Sequence, residues 1–96
     1  MKGRILKKLF KIIEKREKKP VKGSYTNALF NGGTSKILEK IDEESGEVIK
    51  AIKEKEGKKR VVEEIDDLIY HLFVLMVDQG IRFHDLEKEE KKRMKK

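Results

Sequence analysis

Apolar residues recur at three- and four-residue intervals along nearly all of this 96-residue chain. This spacing places apolar side chains on one face of an α-helix, with the polar residues on the other faces. Glycine is sparse and Pro20 is the single proline, which suits a helical protein with few turns. The pattern therefore predicts an all-α fold, a small bundle of four to five helices.

Glycines and capping residues divide the pattern into its helices. Because the link around Gly57 is short, the third and fourth helices should be antiparallel neighbours. The predicted helices run from about Gly3 to Lys18, from Ser24 to Gly32-Gly33, from Thr34 or Ser35 to Gly57, from there to Gly80, and from about Phe83 onward.

The length predicts one domain, residues 1–96, with a core over about residues 5–86 and a charged C-terminal helix or tail over 87–96. There is no cysteine, which excludes disulfides and thiolate metal sites. Near its end the fourth helix is apolar almost all round, because Phe73, Val74 and Val77 fall outside its main stripe. A homodimer would bury that extra face, and the alternative is that it packs under the first or last helix.

Charge and hydropathy narrow the class of protein. The longest apolar run, Leu72 to Val77, is far too short to span a bilayer, and residues 1–10 do not have the form of a signal peptide. We therefore expect a cytoplasmic protein without a membrane partner. The net charge is +7, but the basic residues are spread over the whole chain without interleaved aromatics, so we expect no nucleic-acid partner.

Two acidic motifs carry the functional signal, Glu43-Glu44-x-x-Glu47 and Glu64-x-x-Asp67. Residues three apart share a helix face, so each motif borders the apolar stripe where the third and fourth helices should meet. Oxygen ligands without histidine or cysteine at metal spacing suit Mg²⁺, with Mn²⁺ as a substitute. Two ions, or one with direct and water-mediated contacts, would fit four acids. The alternative is a solvated face with salt bridges inside each helix.

Further short motifs surround the acidic residues in a fixed order. They are Ser24-Tyr25-Thr26, Leu29-Phe30, Gly33-x-x-Lys36-Ile37-x-x-Lys40, Glu43-Glu44-x-x-Glu47-Val48 and Glu64-x-x-Asp67-Leu68-x-Tyr70-His71-Leu72. From about Ile5 to Asp85 the chain resembles phosphoribosyl-ATP pyrophosphatases, and the acidic signature is shared by the wider all-α nucleoside triphosphate pyrophosphatase (MazG-like) superfamily. The resemblance implies a dimeric helical bundle in histidine biosynthesis that cuts the α–β phosphate link of phosphoribosyl-ATP, giving phosphoribosyl-AMP and pyrophosphate.

Residue by residue, the resemblance implies that Glu44, Glu47, Glu64 and Asp67 are magnesium ligands. Glu43 matches the first acid of the motif and is a weaker candidate, in the outer shell or positioning a water molecule. All five are candidate catalytic residues.

The other matched residues are candidates for substrate binding. Lys36 and Lys40 would hold substrate phosphates as point charges, or serve as helix partners of nearby acids. Ser24, Tyr25 and Thr26 would contact the substrate, although Ser24 is equally well explained as a helix N-cap. His71 follows Asp67 by one turn and is expected to be a hydrogen-bonded positioning residue more often than a base, with Tyr70 in packing.

Two other functions stay open at this point. One is a housekeeping pyrophosphatase for canonical or damaged nucleotides with the same metal site. The other is a non-catalytic helical interaction module whose acids lie on the surface. Two positions depart from the motifs: Gly46 lies inside the acidic motif, where it would mark a close helix approach, and Arg82 begins the last helix where serine is usual.

Overall fold

The computed structural model describes residues 4–95, which form four helices and no strand. The prediction of an all-α bundle is confirmed, whereas the expected start of the first helix at Gly3 lies outside the described residues. Within the described range, no helix combines the length and the apolar character needed to cross a membrane. The helices are α1 (Arg4–Lys18), α2 (Tyr25–Lys53), α3 (Lys58–Asp78) and α4 (Phe83–Met94).

The second and third helices of the sequence prediction are the two helical segments of α2, which a kink separates. The kink lies at Gly33, whose φ of 81° and ψ of 176° belong to a region that only glycine adopts without strain. The predicted stop at Gly32-Gly33 is therefore confirmed as a break between two helical segments. Thr34 does not simply cap a new helix: its hydroxyl donates to Asp78 Oδ2 at 2.7 Å and ties the kink to the end of α3.

The core lies where α1, α2 and α3 meet. Three phenylalanine rings join the elements: the Phe10 centroid is 5.4 Å from that of Phe73 and 5.5 Å from that of Phe83, so α4 is attached through Phe83. Edge-to-face and tilted rings at such distances add to the apolar burial. The buried core residues are Phe10, Ile13, Leu29, Ile37, Phe73, Val74 and Val77.

This core corrects one argument from the sequence. The sequence pattern favours burial of Phe73, Val74 and Val77 in a dimer, because they fall outside the main stripe of their helix. They are buried within the single chain, at 5%, 0% and 8% exposure. The alternative, packing under the first and last helices, is confirmed, since Phe73 contacts Phe10 and Phe83.

The antiparallel pair formed by α2 and α3 positions the candidate site. The helices are joined by a short turn in which Gly57 has a φ of 99°, and they pack along one another. The predicted antiparallel arrangement is confirmed. Residues at equal distances from the turn therefore lie side by side on the two helices. Glu44 and Asp67 are such a pair.

The two positions that depart from the motifs have different explanations. A Cβ built at Gly46 meets nothing within 4 Å, so the expectation of a close helix approach there was wrong. At the start of α4, the backbone N–H of Arg82 donates to Asp85 Oδ2 at 2.9 Å. This is one half of a capping box, and the arginine side chain, which carries only donors, cannot supply the other half.

Candidate active site

Three carboxylates from α2 and α3 converge on one point. Glu44, Glu64 and Asp67 each offer an oxygen, and these oxygens all lie within 4.8 Å of one another. Glu64 is buried, Glu44 is half-buried and Asp67 is exposed, so the cluster is open to solvent on one side. The prediction that the two acidic motifs meet at the helix pair is thus confirmed for these three residues.

The three carboxylates carry more negative charge than the neighbouring cationic side chains compensate. Burial, followed by the Asp67 carboxylate, raises the pKa of Glu44, while His71 and Lys40 act in the opposite direction. Bringing carboxylates together out of water disfavours their ionised forms unless a cation is present. Three oxygens of hard carboxylate ligands, partly open to solvent, fit a magnesium or manganese ion that keeps water molecules in its shell.

The remaining two acids of the motif lie apart from this point. Glu47 is half-buried about a turn closer to the α2–α3 connection and is not part of the group within 4.8 Å. Glu43 is exposed, and its Oε1 accepts a hydrogen bond of 3.0 Å from Lys40 Nζ. Glu47 as a direct metal ligand therefore stays a prediction, as does the outer-shell role of Glu43.

Lys40 lies beside the carboxylates. Its Nζ is 3.0 Å from Glu43 Oε1 and 4.0 Å from Glu44 Oε2, and the hydrogen bond with Glu43 raises the pKa of the lysine. The interpretation of Lys40 as a helix partner of nearby acids is thus seen directly. Lys36 is exposed one turn earlier, where its Cβ and Cγ lie over Gly32: a Cβ built there would come within 2.8 Å of them.

His71 connects the two helices behind the carboxylates. It is buried, at 5% exposure, with Nδ1 2.7 Å from the backbone oxygen of Asp67 and Nε2 2.8 Å from the hydroxyl of Tyr25. Partial burial is the main cause that raises the pKa of Tyr25 above its ordinary value of 10.0. Both ring nitrogens of His71 are engaged, which agrees with the expected positioning role.

The Ser24-Tyr25-Thr26 motif forms the first turn of α2 beside this histidine. Ser24 is the N-cap of α2, since its Oγ accepts the N–H of Asn27 at 3.3 Å. Thr26 is buried and hydrogen-bonded to the hydroxyl of Tyr70, whose ring stacks on Tyr25 with centroids 6.2 Å apart. Tyr70 was expected to serve in packing alone, so this hydrogen bond was missed.

An open pocket of about 710 Å³ adjoins the same turn. Ser24 and Tyr25 line it on the helix side, and Asn31 lies one to two turns further along α2. Its lining comprises Pro20, Val21, Lys22, Gly23, Ser24, Tyr25, Asn27, Ala28 and Asn31.

Sequence reasoning also missed Arg60, a cation that lies beside Glu64, whereas Lys40 lies beside Glu44. Its guanidinium pairs with Glu64, the buried member of the three carboxylates, and with Glu63 at 2.6 Å. The signal was available, because Arg60 and Glu64 are four residues apart in a predicted helix and such residues are neighbours.

These features define a class, a small all-α protein with a cluster of three carboxylates between two antiparallel helices. The chain matches the phosphoribosyl-ATP pyrophosphohydrolase family over residues 6–94. It therefore belongs to that family, which confirms the resemblance carried by the short motifs.

Individual relatives agree with this assignment. A phosphoribosyl-ATP pyrophosphatase of Clostridium botulinum is 51% identical over 89 residues, which cover 93% of this chain and 80% of that protein. One of Bacillus cytotoxicus is 46% identical over 90 residues, or 94% of this chain and 83% of that protein. The histidine biosynthesis bifunctional protein HisIE of Caldanaerobacter subterraneus is 48% identical over 92 residues, or 96% of this chain and 44% of that protein.

Proposed function

We propose that the chain hydrolyses phosphoribosyl-ATP to phosphoribosyl-AMP and pyrophosphate in histidine biosynthesis, with Mg²⁺ as its cofactor. Family membership and the names of the relatives support the activity. The convergence of Glu44, Glu64 and Asp67 is the single structural observation that carries the proposal. A cytoplasmic location stays a prediction from the sequence.

Glu44, Glu64 and Asp67 would hold the cation, with Glu47 joining them directly or through water. When bound, Mg²⁺ offsets the charge of the triphosphate and lowers the pKa of bound water. Asp67 faces solvent, so it lies where the substrate phosphates would approach. A carboxylate that does not ligate the ion would accept a proton from the attacking water, and Glu43 and Glu47, the acids of the motif outside the three-carboxylate cluster, are the candidates.

The flanking side chains suit the rest of the substrate. Lys40, next to Glu44, would exchange its carboxylate partners for a phosphate oxygen and stabilise charge on it, with Lys36 one turn away. The open pocket beside Ser24 and Tyr25 offers room for a ribose-phosphate or base that does not react. Tyr25 is 51% exposed although its hydroxyl is held by His71, so its ring is both fixed and accessible.

A pyrophosphate-release assay tests the activity. Purified protein with Mg²⁺ should release pyrophosphate from phosphoribosyl-ATP far faster than from ATP or dATP, and EDTA should stop the reaction. Asp67→Asn and Glu44→Gln should lose at least about 100-fold in rate, as expected when an acid on a metal is removed. Equal rates on ordinary triphosphates would favour the housekeeping function instead, and no release from any nucleotide would favour the interaction module.

We also propose that the protein is a homodimer formed through α3. Val62, Ile65 and Leu72 are 55%, 42% and 39% exposed, and they recur at helical spacing on one face of that helix. The same face opens into a groove of about 460 Å³. It is lined wholly by apolar residues, namely Leu6, Ile69, Leu72, Phe73, Leu75, Met76, Phe83 and Leu86.

The dimensions of the single chain support this second proposal. The radius of gyration of the Cα atoms is 14.6 Å, whereas a compact chain of this length has a value of about 12.5 Å. An open shape with contiguous exposed apolar side chains is typical of a subunit whose core is completed by a partner. The partner here would be a second copy of the chain, because one α3 can pack against another around a twofold axis.

Sedimentation velocity tests the dimer. The wild type should sediment at twice the chain mass of 11.3 kDa. Leu72→Glu should shift the species towards monomer, because a carboxylate would be buried in the interface. Ile12→Glu, at an apolar position of α1 that is 51% exposed, is the matched control and should remain dimeric. A wild type that sediments as a monomer would contradict the proposal.

A further inference from the structure

Arg60 is held by three carboxylates of its own helix and of the turn before it. Its Nε lies 3.7 Å from Glu56 Oε1, one terminal nitrogen lies 2.6 Å from Glu63 Oε1, and the other donates to Glu64 Oε2. These contacts fix the orientation of the planar guanidinium, and the hydrogen bond to Glu64 places it beside the candidate metal site. Its side chain is 48% exposed, whereas that of Glu64 is only 8% exposed.

The burial of Glu64 makes this contact different from an ordinary surface ion pair. A buried carboxylate is strongly destabilised unless a cation or several donors compensate it. Within residues 4–95, the side chain of Glu64 forms its hydrogen bond and ion pair with Arg60. Two further carboxylates, Glu44 and Asp67, lie within 4.8 Å of Glu64 and add repulsion. The arginine thus neutralises the most buried charge of a cluster that is built to receive a divalent ion.

We propose that Arg60 is an internal counter-cation of the metal site, and that it lowers the affinity of the site for divalent ions. It compensates Glu64 while the site is free of metal, and it repels and competes with an arriving cation for the same carboxylate. The inference rests on the metal site of the proposed function. Because half of the arginine side chain is exposed, Arg60 can move towards solvent or towards substrate phosphates once the metal compensates Glu64.

A second interpretation leads to a different expectation for metal affinity. If Arg60 serves only as a helix-surface ion pair, its removal lowers stability slightly and leaves metal affinity unchanged. The chain contains a matched pair of that plain kind, because Arg93 Nε lies 3.0 Å from Glu89 Oε2 at the same four-residue spacing on α4. Arg93→Gln therefore serves as the control for Arg60→Gln.

Calorimetric titration with Mn²⁺ in the absence of nucleotide measures the effect without relying on catalysis. Repulsion between a unit charge and a divalent ion about 9 Å apart in a water-like medium corresponds to about a fivefold change in affinity, and a shorter distance gives a larger change. Arg60→Gln should therefore bind Mn²⁺ at least about fivefold more tightly than the wild type. Arg60→Lys, which keeps the charge, should stay within about twofold of the wild type, and Arg93→Gln should not change the affinity.

Thermal unfolding of the same variants supplies the second readout. In EDTA, Arg60→Gln should have a lower melting temperature than the wild type, because Glu64 loses its counter-ion. Saturating Mn²⁺ should remove most of that difference, since bound metal compensates the same carboxylate.

The outcomes distinguish a wrong role for Arg60 from a wrong metal site. If Arg60→Gln binds Mn²⁺ with unchanged or weaker affinity while the wild type binds it, the role of Arg60 is overturned and the metal site stands. If neither protein binds Mn²⁺, the metal site and the inference about Arg60 both fail.

Discussion

The hydroxyl of Tyr25 on α2 lies 2.8 Å from Nε2 of His71 on α3. The other ring nitrogen, Nδ1, lies 2.7 Å from the backbone oxygen of Asp67, which can only accept a hydrogen bond. In the neutral ring Nδ1 therefore carries the hydrogen, and Nε2 accepts the hydroxyl hydrogen of Tyr25. His71 thus links the first turn of α2 to the turn of α3 that holds a carboxylate of the site.

We predict that His71 and Tyr25 act as one unit. Tyr25→Phe and His71→Asn should each lower kcat/KM for phosphoribosyl-ATP by about tenfold, and the double variant should be no worse, because both changes break the same link. Steady-state pyrophosphate release measures this, with circular dichroism as the control for folding. A loss for His71→Asn that exceeds the loss for Tyr25→Phe by orders of magnitude would instead assign His71 as a base.

The carboxylate cluster should cost stability in the metal-free protein. The pKa of Glu44 is raised above its ordinary value of 4.5, mainly by burial and next by Asp67. Because the folded-state pKa is the higher one, protonated Glu44 favours folding at acid pH, and this contribution is lost as the pH rises through the folded-state pKa. Glu44→Gln should therefore be more stable than the wild type at pH 7 in EDTA, and the difference should vanish below about pH 4.

Urea unfolding of both proteins at the two pH values measures this effect. Adding Mn²⁺ at pH 7 should reverse the order, because only the wild type keeps the full ligand set. If Glu44→Gln is less stable than the wild type in EDTA at neutral pH, the inference that the metal-free cluster carries uncompensated negative charge is wrong.

Gly46 should be replaceable with a gain in stability. It lies inside α2, and a Cβ added there meets nothing within 4 Å. Alanine at such a helical position is favoured over glycine by about 1 kcal/mol, which raises the melting temperature by roughly 4–8 °C in a domain of this size. Scanning calorimetry measures the shift. Gly33→Ala is the contrasting variant: with a φ of 81° at the kink, it should cost about 1–3 kcal/mol.

Arg82→Ser should stabilise the start of α4. The Asp85 carboxylate already accepts the backbone N–H of residue 82, and a serine hydroxyl would add a side-chain acceptor for the N–H of Asp85, which now donates to the Arg82 carbonyl oxygen at 3.0 Å. We expect a gain of about 1 kcal/mol in the free energy of unfolding, measured by urea denaturation. Arg82→Ala, which supplies no acceptor, is the control and should show no such gain.

The parts of the site predicted correctly depend on local spacing. Glu64 and Asp67 are three residues apart, so they share a face whatever the tertiary structure. The short connection at Gly57 then forces α2 and α3 to lie antiparallel, which leaves little freedom in where Glu44 meets them. Arg60 could have been found by the same argument, since its partner Glu64 lies one turn further along the helix.

The features that sequence reasoning missed depend on which elements cover each other. Spacing shows that Phe73 and Val77 need burial, but it does not distinguish a second chain from Phe10 and Phe83 of the same chain. The hydrogen bond between Thr26 and Tyr70 joins residues 44 positions apart, and no local pattern encodes it.

Crystals grown with Mn²⁺ would show whether Glu44, Glu64 and Asp67 bind a divalent cation, through anomalous scattering at a wavelength where manganese absorbs. An anomalous peak should lie about 2.1–2.2 Å from carboxylate oxygens of Glu44, Glu64 and Asp67, the range of hard-cation coordination. Manganese bound elsewhere, with these three carboxylates left without a metal, would contradict it.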